Sequence, residues 1–419
     1  MIYKARTILP VGMEPILDGA ILVEGERIAD IDSFEILRKR RPDEKVFDLE
    51  EAVVIPGLVN LHSHIELESF SNLAHPSNFI EWLRKIVKRS RQMGPDDWLQ
   101  SARRGAARLI SGGITATADI SRWGVGALAM RESGLRGIAY HEIVGVTEAN
   151  LEEAVKDLLV RFRAVKPSGL MKIGISPHSA YSLTKSALLR SVDIAKRMEA
   201  PLAIHVAETR EEVEFLERGT GPLANEMRRL LGERVVEAAV CGKSPASYLK
   251  SLGVFGKNTI AVHCVNVDNE DLENIRAAGS AIALCPTSNS LLRAGEPPIL
   301  ALVKAGVPRG LGTDSSSSNP HADLFQEMRL YREILKRQSR GALLPTAESL
   351  LEMATIGAAT IMGLQKEIGS LEPGKMADFV VLDAAGRDER EAKRVAEWAA
   401  RKDVIATVIG GRPIYCRSF

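Results

Sequence analysis

The sequence predicts an α/β protein: a (β/α)8 TIM barrel joined to a small β-sandwich domain built from both chain termini. Three observations lead there. Short apolar runs alternate with helix-period stretches through the middle of the 419-residue chain, and β-rich text occupies both ends. The length, with 45% apolar residues, suits two or three domains, or one large barrel carrying an appendage.

The elements follow in chain order. Residues 1–56 read as β-rich, with a hairpin-like pattern over 20–28 around Gly25. Strands are expected at 53–61, 115–120, 137–143, 172–176, 202–206, 259–264, 281–284 and 308–312, with helical periodicity at 98–110, 185–198 and 268–278 between them. Eight such units match a barrel with long loops. The stretch 208–258 is long for a βα connection and reads as a substrate-covering elaboration. Near the end, 378–383 and 404–409 are again strand-like. The small domain is therefore assigned to 1–56 plus 366–419 and the barrel to 57–365.

Composition narrows the function. Lys and Arg total 55 against 54 Asp and Glu, so the formal charge is +1. That balance offers no electrostatic case for nucleic acid or an anionic membrane. No run of eighteen apolar residues is present, and Met1–Arg6 lacks the apolar stretch of a secretory signal. Cys241, Cys264, Cys285 and Cys416 are scattered, as expected of free thiols in a cytoplasmic protein. The expected partner is a small-molecule substrate, and an oligomer of identical chains is compatible with the sequence.

The eight histidines carry the chemical signal. His62 and His64 end the first barrel strand two residues apart, so both rings can converge on one ion, although an HxH alone is equally compatible with a surface pair. His205, His263 and Asp314 each follow an apolar run where a barrel core favours Val, Ile or Leu. Barrel enzymes place their reactive groups at such C-terminal strand ends, so the five together point to a divalent metal site. His75, His141 and His321 carry no such signal.

These segments resemble the amidohydrolase superfamily, in the branch of cytosine, guanine and S-adenosylhomocysteine deaminases and triazine hydrolases. The resemblance spans nearly the whole chain. It rests on Pro56-Gly57-Leu58 leading into His62-Ser63-His64, on His205-Val206-Ala207-Glu208, on His263-Cys264, Ser288-Asn289 and Gly312-Thr313-Asp314-Ser315, and on Gly369–Asp378. It implies one divalent metal ion, Zn2+ first and Fe2+ second, held by His62, His64, His205 and Asp314. The fourth strand ends without the lysine of binuclear relatives, which favours a single ion. A bound cation lowers the pKa of its water to about 7. Asp314 is then expected to take the water's proton, Glu208 to act as general acid/base, and His263 to polarise the water from outside the metal's ligand set. A carboxylate at a helix start is the bland alternative for Glu208.

The substrate expectation comes from finer resemblance. Glu66 makes the motif HxHxE, which with Phe79-Ile80-Glu81-Trp82-Leu83 and Cys285–Asn289 looks like aminodeoxyfutalosine deaminases of menaquinone biosynthesis. The implied reaction is hydrolytic deamination at purine C6 of a 5′-substituted adenosine with release of ammonia. Glu66 is the expected sugar contact and His178 a contact to the ribose or the purine, with Glu208 also touching the ring. An arginine such as Arg89, Arg91 or Arg293 would pair with the substrate carboxylate, although each taken singly reads as a solvated surface arginine. Deamination of S-adenosylhomocysteine, methylthioadenosine or guanine, or triazine-type chlorohydrolysis, is the alternative on the same scaffold.

Overall fold

A computed structural model of the chain describes residues 1–73 and 78–417; His75 lies outside the described residues. The chain opens with β1 (Ile2–Ile8), β2 (Ile16–Glu24), β3 (Arg27–Ser33), β4 (Val46–Asp48) and β5 (Val53–Pro56). Eight barrel strands follow: β6 (Leu58–Ser63), β7 (Ile114–Ser121), β8 (Arg136–Ile143), β9 (Met171–Pro177), β10 (Leu202–Val206), β11 (Thr259–His263), β12 (Ala281–Leu284) and β13 (Arg309–Leu311). Strands β14 (Phe379–Leu382), β15 (Val404–Ile409) and β16 (Arg412–Cys416) end the fold.

Strands β6 to β13 are parallel neighbours in chain order. The ring closes where the Asp314 N–H donates to the His62 carbonyl at 3.0 Å, beside a bridge between Ser63 and Asp314. Gly312 permits that approach, since a Cβ there would sit 2.7 Å from the Cβ of His62. Val59, Leu61, Ala118, Ile138, Ala203 and Val262 fill the interior as one apolar cluster, floored by Ala358, Ala359 and Met362. Barrel strands thus use their apolar residues below and leave their ends free for polar ones.

The first expected strand, 53–61, is two strands in different sheets. The chain leaves the small sheet after Pro56 and enters the barrel at Leu58. Gly57 marks the passage, because a Cβ there would lie 2.1 Å from Thr115 Oγ1. The other seven expected strands match to within about two residues at each end. The long connection after β10 folds as helices Arg210–Arg218, Gly221–Leu231, Glu233–Ala239 and Pro245–Ser251.

Both chain ends meet in one sheet of order β16-β15-β14-β5-β1-β2-β3, with β4 on β1. β14 runs antiparallel to β5, and β2 and β3 form the expected hairpin. Tyr3, Ile21, Val54, Phe379 and Val408 share its apolar cluster. Arg136, at the start of β8, pairs with Asp378 just before β14 through Nη2 and Oδ1 at 3.0 Å. Asp378 is buried and also accepts the Gly410 N–H at 2.7 Å. Arg136→Ala leaves that carboxylate unpaired, so folding stability is expected to drop by about 3 kcal/mol in urea titration. A loss under about 1 kcal/mol would show that the pair behaves as a solvent-screened surface bridge. Among the described residues no helix is long and apolar enough to cross a membrane.

Candidate metal centre and active site

The C-terminal ends of the barrel strands bring His62, His64, His205, His263 and Asp314 together. On β6 the pairing register with β7 shifts between Asn60 and Ser63, a local irregularity of the kind that re-aims side chains. His62 and His64 then meet edge to face with ring centroids 4.7 Å apart. The backbone turns left-handed at Ala207 (φ 47°), His263 (φ 70°) and Asp314 (φ 58°). Such conformations cost about 1–3 kcal/mol each and persist at sites where geometry is imposed.

The donor set fits a divalent cation. His64 Nδ1 donates to the Ile120 carbonyl at 3.0 Å, and His205 Nδ1 to the His178 carbonyl at 2.9 Å. Each Nε2 is left as a lone pair, and the two face each other at 3.3 Å. His62 Nε2 is buried without a hydrogen bond, 3.3 Å from Asp314 Oδ1. His62, His64 and Asp314 offer donor atoms within 4.8 Å of one another, as do His62, His205 and His263. Acceptors converging on one point need a cation, and a nitrogen and oxygen set of this kind suits zinc or ferrous iron. Burial, followed by the charge of His62, pushes His64 down to about 3, and burial with the surrounding imidazoles pushes His205 well below its usual value. Both rings are neutral and able to ligate. Burial alone would raise Asp314, yet the close approach of His62, with the His263 and His64 rings beyond, holds it well below the carboxylate range. Ser288 Oγ (2.6 Å) and Ser318 Oγ (2.9 Å) donate to its Oδ2, and the Ser315 N–H (2.7 Å) to its Oδ1.

Glu208 faces this cluster. The helix Arg210–Arg218 is capped by Thr209, and the Glu212 carboxylate takes the N–H groups of Ala207 and Glu208 at 3.1 and 2.9 Å. The helix start is served without the Glu208 side chain, which stands 3.7 Å from His263 Nε2 through Oε1. Burial, then Asp314 and Glu212, raises the Glu208 carboxyl well above its usual value. His263 Nδ1 lies 3.0 Å from Asn289 Oδ1, which turns Nε2 inward.

A cavity of about 610 Å³ opens over these groups. His178 lines it, with Nδ1 held by Ser179 and Ser182 hydroxyls at 2.9 and 2.8 Å. Glu66 also lines it, but its carboxylate is occupied by Ser121 Oγ (2.5 Å) and the N–H groups of Arg122 (2.8 Å) and Trp123 (3.3 Å). Of the arginines expected near a substrate carboxylate, Arg91 lines the cavity, whereas Arg89 and Arg293 do not. Two lining residues had no sequence signal. Arg122 follows β7 and lies 5.2 Å from the ring centroid of Trp123. Glu142 ends β8 with Oε1 buried and unpartnered, and burial, then Glu66, pushes it up to about 8. Met227, Leu230 and Leu231, from the connection after β10, complete one wall.

The model of the amidohydrolase family matches residues 53–414. A 5-methylthioadenosine/S-adenosylhomocysteine deaminase of Symbiobacterium thermophilum is 31% identical over 99% of this chain and 93% of its own. Two solved structures share the fold, each with a TM-score of 0.82 and 23% identity. One is a zinc-bound adenosine deaminase from Xanthomonas campestris, with 98% of this chain and 92% of that one covered. The other is aminofutalosine deaminase of Helicobacter pylori in complex with methylthio-coformycin, with 99% and 100% covered. With a matched family model across most of its length and a polar cluster at the barrel mouth suited to a divalent ion, this chain belongs to the amidohydrolase family and is a metal-dependent hydrolytic enzyme.

Proposed function

We propose that the protein is a hydrolytic deaminase of a 5′-substituted adenosine, with 6-aminodeoxyfutalosine as its preferred substrate. The observation that carries the reaction is the position of Glu208 and His263 over the His62–His64–His205–Asp314 cluster, inside one cavity. When bound, a divalent cation supplies a water acidic enough to attack at neutral pH. The remaining steps belong to side chains. Asp314 takes the proton released as water adds to purine C6. Glu208, held neutral, gives a proton to the adjacent ring nitrogen. His263, fixed by Asn289, turns Nε2 to the attacking oxygen. The C6–N bond then breaks, ammonia leaves with the proton Asp314 had taken, and the C6 hydroxyl returns a proton to Glu208 as the C6 carbonyl forms.

The outer cavity supports a long, planar, anionic 5′ arm. Trp82, Trp98 and Trp123 line it, and Trp123 remains 45% exposed, a large ring left open to solvent. Arg91 and Arg122 line it as well, Arg122 beside Trp123. Aromatic faces with guanidinium groups suit an aryl carboxylate. A second reading, deamination of methylthioadenosine or S-adenosylhomocysteine, is favoured by the name of the 31%-identical relative.

Ammonia release from metal-replete protein separates them. The expected result is a kcat/KM for 6-aminodeoxyfutalosine about 100-fold above those for methylthioadenosine, S-adenosylhomocysteine, adenosine and guanine, about 2.7 kcal/mol of discrimination. Equal or higher values for methylthioadenosine or S-adenosylhomocysteine would establish the second reading. Silence on every purine would remove both.

A further inference from the structure

Glu142 is an anomaly that the reaction above leaves unused. It ends β8 at the cavity wall, is 7% exposed, and its side chain makes no hydrogen bond or ion pair among the described residues. A buried polar atom without a partner costs stability, so its persistence calls for a group that completes it. The other carboxyl groups of the cavity are engaged. Glu66 holds the turn after β7, while Glu208 and Asp314 face the reacting centre. Beside Glu142, His178 and His205 each offer a nitrogen, and the three donor atoms lie within 4.8 Å of one another. No hydrogen bond joins Glu142 to either ring, so the carboxyl is free to meet a third group from the cavity side.

We infer that Glu142, with His178 beside it, binds the vicinal hydroxyls of the substrate's sugar and makes the site selective for ribonucleosides over deoxygenated sugars and free bases. The inference rests on the adenosine-deaminase reading above. A carboxylate with two open oxygens can accept hydrogen bonds from two neighbouring hydroxyls at once, and such donors favour the ionised form that burial alone disfavours, a demand that a purine ring or an apolar arm does not make. The Glu66 carboxylate, with three protein donors already on it, then serves as a positioning group for the Arg122–Trp123 turn.

The test uses a matched substrate pair, 5′-deoxyadenosine and 2′,3′,5′-trideoxyadenosine, with metal-replete wild type, Glu142→Ala and Glu142→Gln. Glu142→Ala is expected to lower kcat/KM about 30-fold on 5′-deoxyadenosine and less than about 3-fold on the trideoxy analogue, with Glu142→Gln between. Neither variant loses a protein partner, so the melting temperature of each should equal or exceed that of wild type. Equal losses on both substrates, or no loss on 5′-deoxyadenosine, would overturn the role of Glu142 and leave the deaminase reading standing. A wild type active on free aminopurines but on neither nucleoside would overturn both.

Discussion

Asp314→Ala is expected to lose bound metal and to lower kcat/KM by about 10³-fold or more, the scale of several kcal/mol that a lost Lewis acid represents. The expectation follows from how the carboxylate is built in. Its two oxygens take two serine hydroxyls and one backbone N–H, which fix its orientation and keep its negative charge available. Removing it leaves three imidazoles with no anionic donor at the barrel's closing seam. His64→Ala should behave alike, because its Nε2 is one of the two opposed lone pairs. Ser318→Ala only loosens the carboxylate and should cost about 10- to 100-fold. Metal content by mass spectrometry and activity by ammonia release should fall in step. Chelation should abolish activity, and restoration by zinc or by ferrous iron would identify the working ion. An Asp314→Ala protein with full metal content and near wild-type turnover would dismantle the proposed centre.

The part of this site legible in the sequence obeys one rule. A polar residue directly after an apolar barrel strand has no place in the core, so His205, His263 and Asp314 announce themselves. Glu142 occupies an equivalent strand end, but His141 interrupts the apolar run before it and hides the signal. Arg122 and Trp123 sit in a turn, where periodicity says nothing about direction. The partners of the Glu66 carboxylate are hidden too, since Ser121 and Arg122 are 55 and 56 residues away in sequence. The break at Gly57 is equally silent. An apolar run continues unchanged from one sheet into the next, and only the distant Thr115 side chain makes glycine necessary there.

Glu208→Gln tests the chemistry apart from the ion. The glutamine keeps the shape of the side chain but cannot donate a carboxyl proton, so kcat/KM should fall by about 10²- to 10⁴-fold with metal content unchanged. The pH behaviour fixes the sign of the role. The Glu208 carboxyl is raised above its usual value, chiefly by burial and then by Asp314 and Glu212. Wild-type kcat/KM should therefore fall on the alkaline side as that carboxyl loses its proton, and the Gln variant should lack this limb. Stability of the metal-free protein should fall over the same rise in pH. A raised carboxyl binds its proton in the folded chain at pH values where the unfolded chain, with a pKa of about 4.3, has released it. The associated stability is complete below that value and is lost as pH rises toward the raised one, so Glu208→Gln should flatten the slope and be the more stable protein at neutral pH. A variant that is less active, no less metal-loaded and no less stable, and that lacks the alkaline limb, has lost a proton-transfer group. Ammonia release equal to wild type would return Glu208 to the status of a buried carboxyl with no part in the reaction.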